Sequence, residues 1–76
     1  MAAKKSEANQ ALGRAIRAVR LERGLGQEAL AALAGLDRSY FGAIERGEYN
    51  VSVDTVAKVA VGLGATLGEL FAQAGL

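Results

Sequence analysis

Glycines at the ends of short apolar repeats are the feature that most restricts how this chain folds. Gly24, Gly35, Gly47 and Gly64 each follow a segment whose apolar residues recur every three or four positions. This spacing is typical of an amphipathic helix, and glycine after the last turn favours the left-handed conformation in which helices end. No segment shows the apolar–polar alternation of a strand. The pattern therefore predicts several short helices joined by tight turns.

Capping residues locate the start of each predicted helix. The first helix is expected from about residue 9 to Arg23, so residues 1–8, which lack periodic apolar positions, are predicted to be a flexible N-terminal arm. Four further helices are expected to follow these N-cap residues: Gly26, Asp37, Ser52 and Thr66. Thr66 and Glu69 have the spacing of a capping box. Residues 9–76 are thus expected to form one all-α domain.

The composition excludes several classes of function. The 76 residues include no cysteine and no histidine, which removes disulfides, thiolate metal sites and a Ser-His-Asp triad. No glycine-rich phosphate cradle is present either. We therefore expect no metal, no cofactor, no small-molecule ligand and no enzymatic activity. Because no apolar run approaches the roughly 18 residues of a membrane span, we also expect a cytoplasmic protein without a membrane partner.

Charge is distributed unevenly along the chain. Residues 1–46 carry eight basic and five acidic side chains, a net charge of +3, whereas residues 47–76 carry one basic and three acidic side chains, a net charge of −2. A basic front and an acidic back would orient the molecule on a polyanion. Ordinary solvated helix faces of mixed sign explain the charges equally well.

The second and third predicted helices have the proportions of a helix-turn-helix. Each has about eight residues and is roughly 12 Å long, and a short connection containing Gly35 joins them. A rod of that length suits the DNA major groove, which is about 12 Å wide. The third helix opens with Arg38, Ser39 and Tyr40, so it would carry a cation, a hydroxyl and a phenol into such a groove.

Three motifs carry a resemblance to a known family: "RxxxGLxQExLA" at residues 20–31, "SYxxxIERG" at residues 39–47, and the helix pair after them. Residues 12–71 resemble the Cro/phage-repressor (XRE) helix-turn-helix family. The resemblance implies a compact five-helix bundle, a lambda-repressor-like DNA-binding domain. It also implies a sequence-specific regulator that binds double-stranded DNA as a homodimer on a near-palindromic operator. Restriction–modification controller proteins and small phage or plasmid repressors are the members it looks most like.

The resemblance also assigns roles to individual residues. The positions that it implies for DNA contact are Gln27, Arg38, Ser39, Tyr40, Ala43, Arg46, Tyr49 and Asn50. Gln27 would brace the second helix against a phosphate, Arg38 would pair with a guanine, and Arg46 would contact a phosphate. Ala43 is expected on the outward side of the third helix. Arg20 and Glu45 correspond to a structural ion pair between the first and third helices.

Each of these roles has a plainer alternative. Arg38 and Arg46 would otherwise be solvated surface arginines, Tyr40 a half-buried edge residue, and Gln27 an ordinary polar residue at a helix start. Three departures from the family pattern are Gly26 before the glutamine, Val51 after the asparagine, and a net charge of only +1. The low charge suggests weak affinity per monomer and therefore a dimer.

Apolar residues left over from the inner faces suggest where a dimer would form. Val59, Val61 and Leu76 do not fit the inner faces assigned to the last two helices. We expect a dimer interface on those helices, formed by Val61, Leu67, Phe71 and Leu76. A generous core is the alternative explanation. A second functional hypothesis is an antitoxin-like or other protein-interaction module that uses this same surface.

Overall fold

The computed structural model describes residues 6–76, which form five α-helices and no strand. The helices are α1 (Glu7–Glu22), α2 (Gln27–Ala34), α3 (Arg38–Glu45), α4 (Val53–Leu63) and α5 (Leu67–Ala74). In the helix-turn-helix, α2 packs against α3; α1 lies against α3 and α5, and α4 covers α2. This all-α bundle confirms the predicted fold class.

The capping side chains act where the sequence predicts. Asp37 accepts a hydrogen bond from the Tyr40 backbone N–H, and Ser52 accepts one from Thr55. Thr66 and Glu69 exchange both bonds of a capping box at the start of α5. Gly26 has extended backbone geometry but no side chain to cap α2. The predicted starts of α2, α3, α4 and α5 are therefore confirmed.

Helix α1 starts earlier than the apolar pattern predicts. The Ser6 hydroxyl accepts a hydrogen bond from the Asn9 N–H, so Glu7 is already helical. Ser6 is a good N-cap residue, but a polar segment without apolar period gave no reason to extend the helix to it. Residues 1–5 of the predicted arm lie outside the described part of the chain.

Two glycines allow α1 to pack closely on the end of α3. A Cβ at Gly13 would lie 2.6 Å from the carbonyl oxygen of Ile44, which is backbone and has little freedom to move. A Cβ at Gly47 would lie 2.6 Å from Cγ of Gln10, and Gly47 also has a φ of +73°. The absence of side chains at both positions therefore sets the distance between α1 and α3.

One core joins all five helices. Its completely or almost completely buried side chains include Ile16 of α1, Leu30 of α2, Phe41 of α3, Val59 of α4 and Leu70 of α5. The expectation that Val59 lies off the inner face is wrong, because it is 0% exposed. Helix α4 packs against both α2 and α5. Its apolar stripe must therefore be wider than that of a helix with a single neighbour.

No single described helix is long and apolar enough to span a membrane. Helices α4 and α5 together have sufficient length and apolar character, but they bend by 99° at their junction.

Candidate nucleic-acid interface

The first turn of α3 presents its side chains to solvent. Arg38 and Ser39 are exposed, and the Asp37 cap holds the helix start in place. In contrast, Phe41 and Ile44, later in the same helix, are almost completely buried. The helix is therefore anchored along one side, while its N-terminal end carries a cation and a hydroxyl into solvent.

Tyr40 and Tyr49 form an aromatic pair beside this end. Their ring centroids lie 5.5 Å apart with planes inclined by 54°, within the range of favourable tilted ring contacts. Tyr40 is half-buried against the core, and Tyr49 is 51% exposed. The pair connects α3 to the loop that follows it, so Tyr49 lies close to the exposed start of the helix.

A buried ion pair holds the helix-turn-helix against α1. Arg20 Nε donates to Glu45 Oε2 at 2.6 Å, Arg20 Nη2 donates to Glu45 Oε1 at 3.0 Å, and both side chains are less than 10% exposed. Arg20 Nη1 also donates to the carbonyl of Leu25 in the turn before α2. The hydrogen bond that Arg20 donates to Glu45 raises the pKa of Arg20 above its ordinary value, although burial opposes the shift. The structure thus contains the ion pair expected at these positions.

Gln27 belongs to the same network. Its Nε2 donates to Glu45 Oε1 at 2.9 Å, so the carboxylate binds an arginine of α1 and the first residue of α2. A polar cleft of about 370 Å³ lies next to this network, and its lining residues are Arg17, Arg20, Gln27, Glu45 and Arg46. The start of α2, which has no side-chain cap, therefore lies beside arginines, an arrangement that favours an anion.

Arg46 follows α3 and pairs with Glu48, a residue without a role in the family pattern above. Its Nε lies 2.7 Å from Glu48 Oε2, and its Nη2 lies 3.3 Å from Glu48 Oε1. The hydrogen bond and charge of Glu48 raise the pKa of Arg46. A Cβ at Gly42 would lie 3.2 Å from Arg46 Nη1 and 3.9 Å from Gln27 Oε1, so Gly42 leaves room for both side chains.

The expected position of Ala43 is wrong. This residue is 5% exposed and does not lie on the outward side of α3. The physical reason is that α3 is covered on two sides, by α1 and by α2, so Phe41 to Glu45 are all buried. The solvent-exposed part of α3 is therefore its first turn.

Asn50 forms a contact with α1. Asn9 Nδ2 donates to Asn50 Oδ1 at 2.9 Å, and Asn9 Oδ1 accepts from the Val51 N–H at 3.2 Å. One asparagine of α1 therefore binds two consecutive residues of the loop that also carries Tyr49. Asn50 is nevertheless an exposed residue.

The four residues proposed for a dimer interface differ in exposure. Val61 is 77% exposed and Leu76 is 60% exposed, whereas Leu67 and Phe71 are partly buried against the core. Val61 faces a shallow groove of about 260 Å³ whose other lining residues are Leu33, Ala34, Ala57 and Lys58. The exposed apolar surface therefore extends onto α2, where Leu33 is 60% exposed.

Arg17, Glu48 and Asn9 are the site residues that sequence reasoning missed. For Glu48 the sequence contained a usable signal for an ion pair, since a carboxylate lies two positions after Arg46 beyond a glycine turn. Arg17 and Asn9 had none, because their partners or neighbours are distant in sequence. Among residues 6–76, no group of three or more acidic side chains is placed to hold a metal ion.

Comparisons with known proteins identify the family. A family model described as a helix-turn-helix domain matches residues 11–74. Control protein C.MunI of Mycoplasma sp is 49% identical over 49 residues, which cover 64% of this chain and 66% of that protein. The chain spans between 43% and 66% of the length of three curated relatives.

Solved structures agree with the sequence matches. The restriction-modification controller protein C.AhdI from Aeromonas hydrophila is 45% identical with a TM-score of 0.79, and the match covers 82% of this chain and 94% of that one. The controller protein C.Esp1396I, solved as a tetramer in complex with its natural 35-base-pair operator, is 30% identical with a TM-score of 0.84. That match covers 91% of each chain.

The chain therefore belongs to the helix-turn-helix family of DNA-binding transcriptional regulators. Within that family it is similar to the controller proteins of restriction–modification systems, as the sequence resemblance implied. This is a family of DNA-binding regulators and not of enzymes.

Proposed function

We propose that this protein is a sequence-specific regulator of the controller type, which binds double-stranded DNA as a homodimer on a near-palindromic operator. The exposed opening of α3, with Arg38 and Ser39 in solvent beside a rigidly held turn, carries the proposal. The crystal structure of the similar protein C.Esp1396I on its natural operator supports it. We also propose that the protein has no enzymatic activity and works in the cytoplasm, where its DNA would be.

In this mechanism, the first turn of α3 enters the major groove. Arg38 donates two hydrogen bonds to a guanine edge, and Ser39 contacts a neighbouring base. The start of α2 at Gln27 and the guanidinium of Arg46, which line the same cleft, bind the phosphate backbone beside the groove. Tyr49, held near α3 by its ring contact with Tyr40, adds a backbone contact. Phosphate contacts set the position of the helix, and base contacts read the sequence.

A homodimer would place two copies of α3 in successive major grooves, about 34 Å apart. A two-fold interface uses the same surface on both subunits, so one exposed apolar patch is sufficient. Val61 and Leu76 supply exposed apolar area for that purpose, while Leu67 and Phe71 present edges that the core leaves partly uncovered. Dimerisation would double the number of phosphate contacts and compensate for the low net charge of one chain.

Selection of bound duplexes from a random pool tests the proposal directly. We expect the recovered sequences to share an inverted repeat, whose half-sites are about one helical turn apart. Recovery of unrelated sequences at every salt concentration would exclude sequence-specific binding. A single unrepeated site would instead exclude the two-fold arrangement.

Two arginine variants test the assigned roles. Arg38→Ala should relax specificity at one base pair per half-site, with a loss of about 1–3 kcal/mol on the selected duplex and little change on a scrambled one. Arg46→Ala should weaken binding to both duplexes equally and reduce the salt slope by about one. Lys58→Ala, at an exposed position of α4 outside the helix-turn-helix, is the matched control for charge loss. Equal losses on both duplexes for Arg38→Ala would refute its assignment as a base contact.

A further inference from the structure

Arg46, proposed above as a phosphate contact, already holds an anion within its own chain. The Glu48 carboxylate accepts from Nε at 2.7 Å and from Nη2 at 3.3 Å, so it occupies one edge of the guanidinium with both of its oxygens. A DNA phosphate binds arginine in the same two-point manner. The carboxylate and the phosphate therefore require the same donors.

The pair is arranged so that it opens readily. Its side chains are 58% and 38% exposed for Arg46 and Glu48, so water solvates both groups when they separate. Exposed ion pairs of this kind contribute little to stability, and salt screens them. Glu48 lies two residues beyond Arg46, after the turn at Gly47, so the carboxylate stays nearby after the pair opens.

We propose that Glu48 is an internal competitor for the phosphate-binding donors of Arg46, and that it lowers the affinity of the protein for every duplex. This inference rests on the proposed function. Each binding event must replace the carboxylate with a phosphate and leave Glu48 near the polyanion. The effect acts through Arg46 and not through base contacts, so selected and random sequences are weakened by the same factor.

The position of Glu48 beside the interface distinguishes it from the other carboxylates. Glu45 is also close to Arg46 in the polar cleft, but it is buried and bound by Arg20 and Gln27. Glu22 lies at the end of α1 and lines a different cleft, against α5. Removal of the Glu22 charge therefore changes the net charge by the same amount without releasing Arg46.

Glu48→Gln and Glu22→Gln form a matched pair for the test. Binding of a fluorescein-labelled random-sequence duplex is measured by anisotropy between about 50 and 300 mM salt. We expect Glu48→Gln to raise affinity about two- to five-fold and to steepen the salt slope by about one. Glu22→Gln should change affinity less than about 1.5-fold at 0.1 M salt, because Glu22 lines the cleft against α5 and not the cleft that Arg46 lines.

A double-mutant cycle shows whether the effect passes through Arg46. In the Arg46→Ala background, Glu48→Gln should raise affinity by a smaller factor than in the unmodified protein, because the competed donors are gone and only the repulsion between Glu48 and the polyanion remains. A gain of the same size in that background, or a Glu48→Gln protein that binds no tighter than Glu22→Gln, would overturn the inference. Failure of the unmodified protein to bind any duplex would instead reject the proposed function.

Discussion

Two arginine–glutamate pairs lie a few residues apart in this molecule and differ mainly in their access to water. The Arg20–Glu45 contact is 2.6 Å long and the Arg46–Glu48 contact is 2.7 Å long. The side chains of the first pair are 8% and 3% exposed, whereas those of the second are 58% and 38% exposed. Nearly identical distances therefore accompany very different surroundings.

Burial gives the two pairs opposite consequences. A buried pair that loses one partner leaves a desolvated charge behind, so Arg20 and Glu45 act as a fixed joint between α1 and α3. An exposed pair exchanges one partner for another at small cost, so Arg46 remains available to a phosphate. In one short segment, the chain thus combines a permanent ion pair with an exchangeable one.

Substitution in the buried pair is expected to lower the free energy of unfolding more than any other change. Glu45→Ala leaves the Arg20 guanidinium without its counter-charge and Gln27 Nε2 without its acceptor. We expect the free energy of unfolding to fall by about 3 kcal/mol, measured by urea denaturation followed by circular dichroism. Glu22→Ala, at an exposed position, should change it by less than about 0.5 kcal/mol.

A double replacement shows whether the Arg20–Glu45 pair stabilises the protein through its charges or through its packing volume. Because apolar residues of similar volume avoid the desolvation of two charges, Arg20→Met with Glu45→Leu should recover most of the stability lost in Glu45→Ala. A double variant as unstable as the single one would mean that the hydrogen bonds to Gln27 and Leu25, and not the paired charges, hold the joint.

The close approach of α1 to the end of α3 predicts the next largest effect on the free energy of unfolding. Gly13→Ala should lower the free energy of unfolding by about 1–3 kcal/mol, since the added methyl group meets the carbonyl of Ile44. Gly68→Ala in α5 is the matched control, because its Cβ would meet only Thr66 Oγ1, at 3.7 Å. That control should gain up to about 1 kcal/mol from helix propensity. Equal changes in the two variants would contradict a close packing of α1 on α3.

The bonds from Asn9 to the loop are expected to contribute less than either buried feature. Asn9→Ala removes the bonds to Asn50 and to the Val51 N–H, and we expect it to lower the free energy of unfolding by about 1 kcal/mol. Asn9→Asp keeps an acceptor for Val51 but loses the donor to Asn50, so its loss should be smaller. Denaturation of the two variants side by side checks the order, and a larger loss for Asn9→Asp would refute it.

The exposed pair should contribute least to stability. Glu48→Ala should shift the Tm by no more than about 2 °C in a thermal scan, because exposed pairs contribute little. The same variant should still alter DNA affinity, which is the property that distinguishes this pair from the buried one. A Tm lowered by as much as in Glu45→Ala would remove the contrast between the two pairs.

Local sequence signals predicted most of the helix boundaries. Asp37, Ser52 and Thr66 cap as expected because a side chain that bonds to a backbone N–H three residues later needs no distant partner. The expected exposure of Arg38 and Ser39 follows equally from their place beside a cap.

Apart from the start of α1 and the Arg46–Glu48 pair, the failures involve contacts that one helical period does not encode. Ala43 and Val59 are buried because α3 packs against two helices and α4 against three, and a periodic pattern does not show how many neighbours a helix has. Asn9 and Asn50 meet across 41 residues. The Arg46–Glu48 pair spans only two positions across the predicted turn at Gly47, so a local signal for it was present and was missed.

The ring contact between Tyr40 and Tyr49 gives the protein a built-in optical reporter. The sequence has two tyrosines and no tryptophan. Both tyrosines, which dominate the intrinsic fluorescence of such a chain, therefore lie in this one contact beside α3. Their emission is not transferred to an indole elsewhere in the chain. A change in ultraviolet fluorescence would therefore report on the helix start and the following loop directly, without a label.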